Sequence, residues 1–162
     1  MKKIFSVEEI KNLEKKEFKK LKNSFTLMKR AGNSCAKKIL KSKFNKKIVV
    51  LCGPGNNGGD GLVISQLLNK FNQDIELYCL EHKDYTGDAK IAYNENLLIK
   101  KKYQDLHIPQ SSIIIDCLFG IGLNRKLIGF YKKIVKKVNI SKNYIISIDI
   151  PSGINGNSGK IM

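Results

Sequence analysis

Arginine is scarce in this chain of 162 residues, which carries a formal charge of +16. Arg30 and Arg125 are its two examples. That scarcity argues against dedicated nucleic-acid readout, because base and phosphate recognition favours the bidentate guanidinium fork. No aromatic side chains interleave with the basic ones to form a stacking platform. The charge comes from lysines scattered over every predicted helix, the pattern of a solvated surface. A dedicated nucleic-acid partner is therefore not expected, although non-specific attraction to polyanions follows from the charge alone.

Histidine is equally sparse: His82 and His107 stand without a partner pattern and are expected at the surface. A dehydrogenase using intact NAD would need a hydride-acceptor site or a His or Tyr-Lys pair, and none is recognisable. The four cysteines (Cys35, Cys52, Cys79, Cys117) form no Cys-x-x-Cys pair and meet no histidine at metal spacing. Free, mostly buried thiols in a reducing compartment are the expectation. No window approaches the roughly 18 apolar residues of a membrane span. The start has the charge of a signal peptide without its apolar core, since Glu8, Glu9 and Lys11 follow at once. These features predict a cytoplasmic protein with no membrane partner. Repeats and low-complexity tracts are absent, and the length fits one domain with an ordinary apolar content of 42%.

What is present is concentrated in one stretch. The β-branched run from Lys47 to Cys52 reads as a buried strand. It breaks into Gly53-Pro54-Gly55-Asn56-Asn57-Gly58-Gly59-Asp60-Gly61, after which Leu62 to Leu68 follow a helical pattern. Strand, glycine turn and helix start present backbone N–H groups and a positive helix end to an anionic ligand. Gly53, Gly55 and Gly58 match Gly-x-Gly-x-x-Gly, a weak signal alone. Glu81, after Ile75 to Leu80, stands near the place of the acidic residue in a dinucleotide fingerprint.

Ser6-Val7-Glu8-Glu9 is a capping box opening a helix with Ile10, Leu13, Phe18 and Leu21 as an imperfect apolar stripe. Ser24 or Thr26 is expected to start a second helix, whose Ala31-Gly32 predicts close packing against another element. Strands are then predicted over Ile48–Cys52, Ile75–Leu80, Ser112–Leu118 and Tyr144–Ile150. Helices are predicted between them over Gly59–Phe71, Thr86–Lys101 and Leu127–Asn139, with Ala89, Ala92, Leu97 and Leu98 of the second turned inward. Alternation of this kind implies βαβ units in a mostly parallel sheet: a three-layer α/β/α, Rossmann-like fold preceded by amino-terminal helices. Numbering these strands one to four, the predicted order is 2-1-3-4.

The strand ends carry the polar chemistry. The first reaches Asn56, Asn57 and Asp60. The third ends at Asp116 before a second glycine loop, Phe119-Gly120-Ile121-Gly122-Leu123-Asn124-Arg125. The fourth ends at Asp149, Pro151, Ser152 and Gly153. Ligands of open parallel sheets bind outside the carboxyl ends of the strands, so three segments delivering oxygen groups there predict one site. An amide, a carboxylate and a hydroxyl form an all-oxygen set suited to a hard cation and not to zinc.

On these residues the chain resembles the YjeF N-terminal domain family, the NAD(P)H-hydrate epimerases. The motifs that carry the likeness are Gly55 to Leu62, Asp116 to Arg125 and Ser147 to Gly153, supported by Ser6 to Glu9 and Leu27 to Gly32. The resemblance implies interconversion of the R and S forms of NADHX and NADPHX, so that an ADP- or ATP-dependent dehydratase, separate or fused, can repair them. It implies substrate contacts from Asn56, Asn57, Gly58, Gly59 and Asp60, from Gly120, Ile121, Gly122, Leu123, Asn124, Arg125 and Lys126, and from Asp149. It places potassium on Asn57, Asp116 and Ser152, and it implies a homodimer. A carboxylate in a partly dry crevice is the natural acid-base group, and Asp149 is the expected catalytic residue. Lys29 stands where the family usually has Glu, and the chain ends where family members continue for further strands and a helix; residues 1–162 read as one such domain lacking them. A non-catalytic module binding a nucleotide, RNA or protein on the same fold is the alternative.

Overall fold

The structure, a computed structural model, describes residues 4–21 and 23–162. Two helices come first, α1 (Val7–Leu21) and α2 (Ser24–Lys41). The capping box forms: Ser6 N–H donates to Glu9 Oε2 at 2.8 Å and Glu9 N–H to Ser6 Oγ at 3.2 Å. α2 starts at Ser24, one of the two expected positions, and its cap is Asn23, whose Oδ1 accepts the Phe25 N–H at 2.9 Å. Then follow β1 (Ile48–Cys52), α3 (Asn56–Lys70), β2 (Ile75–Tyr78), α4 (Gly87–Glu95), β3 (Lys100–Lys101), β4 (Ile113–Cys117), α5 (Gly129–Ile140) and β5 (Tyr144–Ser147).

The sheet is parallel throughout, in the order β3-β2-β1-β4-β5. The predicted order of four strands holds, with the two-residue β3 added at one edge. β1 is buried along its whole length, as its unbroken apolar run requires in a sheet covered on both faces. Ile48, Val50 and Cys52 join α2, α3 and α4 in one core, while Val49 and Leu51 join Ile134 and Val138 of α5 in the other. Three layers result. Gly32 packs as its sequence context predicts: a Cβ there would lie 2.6 Å from Val63 Cγ1.

β2 and β5 end at Tyr78 and Ser147, short of the predicted Leu80 and Ile150, and one predicted helix changes more. The helix expected to reach Lys101 stops at Glu95, because the buried Asn96 amide donates to the Leu62 carbonyl at 2.7 Å and to Ser65 Oγ at 3.0 Å. Leu97, expected inward, is 84% exposed. Lys29 spans helices by pairing with Glu95 at 2.8 Å.

Chain order along the sheet reverses between β1 and β4. The loops leaving these neighbours therefore diverge to opposite faces and open a crevice at their carboxyl ends.

Candidate functional site

A cavity of about 720 Å³ occupies that crevice. From the β1 loop and the start of α3 it takes Pro54, Gly55, Asn56, Asn57 and Asp60. The β4 loop contributes Leu118 to Arg125, and the turn after β5 gives Ile148 and Asp149. Three chain segments far apart in sequence thus form one wall.

Close backbone approach builds the first part. α3 begins at Asn56, three residues earlier than expected, with Gly55 as a cap lacking a side chain. Its first N–H groups, which an α-helix leaves without internal partners, therefore sit at the crevice with the positive end of the helix dipole. Gly58 is buried, and a Cβ on it would stand 1.8 Å from the Gly53 carbonyl oxygen. Gly58 seats the helix against its own loop, Gly59 seats it against Met28 of α2 and Ala89 of α4, and neither lines the cavity.

The second loop is clamped by Asp149. Its Oδ2 accepts the Ile121 N–H at 2.7 Å, and a Cβ on Gly120 would come within 2.2 Å of that same oxygen. Asp149 adopts φ 68°, a left-handed conformation that a short polar side chain tolerates and most residues avoid. A strained, exposed carboxylate held against a glycine loop is the arrangement expected of a functional group.

Beneath the loops lies a hydrogen-bonded knot. Asp116 is 6% exposed. Its Oδ1 accepts Ser152 Oγ at 2.6 Å and Leu118 N–H at 3.1 Å; its Oδ2 accepts Ser152 N–H at 2.9 Å and Ser147 Oγ at 3.3 Å. Ser152 Oγ in turn accepts the Phe119 N–H at 2.9 Å. These bonds tie the ends of β4 and β5 together. Asn57 differs: both polar atoms of its side chain are buried and meet no hydrogen-bond partner among the described residues. Such an orphaned amide is costly unless a ligand supplies the missing contact.

Charge in the cavity is mixed. Burial, then Asp149 and Glu14, push the Asp60 carboxyl up to about 7. Burial and Asp149 also raise Glu14, while Lys11 opposes them. Lys11 and Arg125 supply positive charge.

Of the residues singled out in the sequence, Asn56, Asn57, Asp60, the stretch Gly120 to Arg125 and Asp149 line the cavity. Asp116 and Ser152 touch each other below it. Lys126 is exposed outside the lining. The sequence reading missed Ile10, Lys11 and Glu14 of α1, and Ala31 and Cys35 of α2, which form the facing wall. Glu14, four residues after Ile10 on the same helix side, was the one available signal. Among the described residues no group of three or more His, Cys, Asp or Glu is placed to hold a metal ion. His82 and His107 are exposed, and Cys52, Cys79 and Cys117 are buried free thiols, with Cys35 half-buried.

Residues 24–162 match the model of the YjeF-related protein N-terminus. The chain belongs to this family. A protein of Lentilactobacillus buchneri named NAD(P)H-hydrate epimerase is 33% identical over 163 residues, covering 97% of this chain and 76% of that protein. The bifunctional NAD(P)H-hydrate repair enzyme Nnr of Dictyoglomus turgidum is 38% identical over 170 residues, covering 99% of this chain and 33% of its own length. The corresponding enzyme of Thermofilum pendens is 33% identical with the same coverage on both sides. This family member therefore spans about a third of the bifunctional relatives and about three quarters of the epimerase. The crystal structure of yeast ynu0 shares its fold, with a TM-score of 0.84 at 24% identity over 99% of this chain and 75% of that one.

Proposed function

We propose that this family member is an NAD(P)H-hydrate epimerase, interconverting the R and S forms of NADHX and NADPHX. The observation that carries the reading is Asp149, bound to the Ile121 N–H at 2.7 Å in the cavity that Asn57 and Asp60 also line. Inversion at C6 of the hydrated ring needs a proton delivered as the hydroxyl leaves and removed as water returns on the other face. Asp149 moves that proton. Its second oxygen takes no protein donor among the described residues and is available for this work. The glycine loops and the α3 start bind the diphosphate through N–H groups. Names of the bifunctional relatives support a link to an NAD(P)H-hydrate dehydratase that uses the product.

Potassium fits the donor set. The unpartnered Asn57 amide offers an oxygen with no competing bond, and Asp116 and Ser152 add a carboxylate and a hydroxyl. Bound there, the ion offsets phosphate charge. Free buried thiols suit a cytoplasmic location. No helix among the described residues is long and apolar enough to cross a membrane. A homodimer through the amino-terminal helices is consistent with the exposure of Ile4 and Leu13.

The test is the rate at which separated R- and S-NADHX equilibrate with added protein, with potassium or with sodium. Acceleration is expected, and Asp149→Asn should lower it by about 100-fold or more. Unchanged equilibration with the natural protein overturns the epimerase reading; full activity in Asp149→Asn removes Asp149 alone.

A further inference from the structure

A second cavity, of about 320 Å³, lies on the β2 side of the same sheet edge and has no part in the proton chemistry above. Glu81 lies in its lining, three residues beyond the end of β2, the strand beside β1. Parallel nucleotide-binding sheets use a carboxylate at this place to hold a ribose diol. The Glu81 carboxylate pairs with Lys83 at 3.1 Å and Lys102 at 3.5 Å, and all three side chains remain more than half exposed. Its backbone is fixed too, because Glu81 N–H donates to Asp84 Oδ2 at 3.2 Å in a reciprocal capping box. Leu80, Tyr103 and Phe130 give the cavity an apolar side on which a base can rest.

A chain of aromatic rings links the linings of the two cavities. Phe119 of the first lies 4.8 Å from Tyr131, ring to ring, and Tyr131 lies 5.3 Å from Phe130 of the second. Tyr131 is also close enough to feel Arg125 on one side and Asp84 on the other. A molecule made of two nucleosides joined by a diphosphate has the form to occupy both.

We propose that this cavity holds the adenosine end of the dinucleotide, and that Glu81 with Lys83 and Lys102 discriminates a 2′-hydroxyl from a 2′-phosphate. The choice of dinucleotide rests on the epimerase reading. Glu81 accepts hydrogen bonds from the free diol and repels the phosphate, whereas the two lysines, once released from Glu81, attract it.

Calorimetric titration of the full chain with ADP-ribose and with 2′-phospho-ADP-ribose, at low salt, tests this without turnover. The natural protein should bind ADP-ribose. Glu81→Gln should shift the affinity ratio about threefold to fivefold toward the phosphorylated ligand, the scale of an exposed charge contact. A Lys83→Gln, Lys102→Gln double variant should shift it the other way. No binding of ADP-ribose, or an unmoved ratio in both variants, overturns the proposal. R/S equilibration measured in parallel separates the two failures. A moved ratio without turnover supports the subsite and removes the epimerase; turnover with an unmoved ratio removes only the subsite.

Discussion

Asp60 and Asp149 are two carboxyls in one cavity with different surroundings. Asp149 is exposed and accepts a backbone N–H, while Asp60 is half-buried with no ion pair or hydrogen bond among the described residues. Because folding raises the Asp60 pKa to about 7, the folded protein binds the proton more tightly than the unfolded chain. Its contribution is then fully present below the unfolded carboxyl pKa and is lost as pH rises toward 7. Asp60→Asn should therefore flatten the fall in stability between about pH 4 and 7, read as urea midpoints across that range. An unchanged slope would show that Asp60 is ionised in the folded protein. Gly120 makes a second test at this scale. A methyl group there meets Asp149 Oδ2 at 2.2 Å, so Gly120→Ala should displace the carboxylate and cut the proposed epimerisation by about 10-fold or more, with a change in Tm of a few degrees at most. The sequence showed that both loops matter, through their glycines and oxygen-bearing residues. It held no sign that Gly58 packs and Gly120 clears space, since that depends on which backbone lies opposite.

Among the α-helices, α1 stands apart. None of its residues is buried, whereas all five residues of β1 are. Each fully buried large apolar side chain contributes roughly 1.5–3 kcal/mol, so α1 lacks the anchorage that holds the sheet. Its amino end is tied down by Val7 N–H donating to Asn157 Oδ1 at 2.9 Å, from the segment after β5. Amide hydrogen exchange should show α1 opening orders of magnitude faster than β1 and β4, and Asn157→Ala should speed it further. Protection of α1 equal to that of β1 would contradict this account. The capping box of α1 was legible because its partners are three residues apart. The end of α4 was not, because Asn96 stops the helix by bonding to Leu62 and Ser65, more than 30 residues away.

Taken whole, the molecule carries a charge of +16, mostly on exposed lysines, with its proposed chemistry confined to one sheet edge. Binding to heparin or DNA should be measurable at low salt and largely lost by about 0.3 M salt, without base preference. Sequence-selective binding that survives high salt would point instead to the alternative module on this fold. By itself the sequence determined the alternation of strands and helices, the fully buried β1 and the three motifs at strand ends. Each of these is written in local periodicity or in residues a few positions apart. Only the tertiary structure decided that α1 and α2 form the facing wall, that Asn57 is left unpartnered, that Asp116 is bound up with Ser152, and that Asp149 clamps the second loop. Those are contacts between distant segments, and their energies come from neighbours that local sequence patterns do not name.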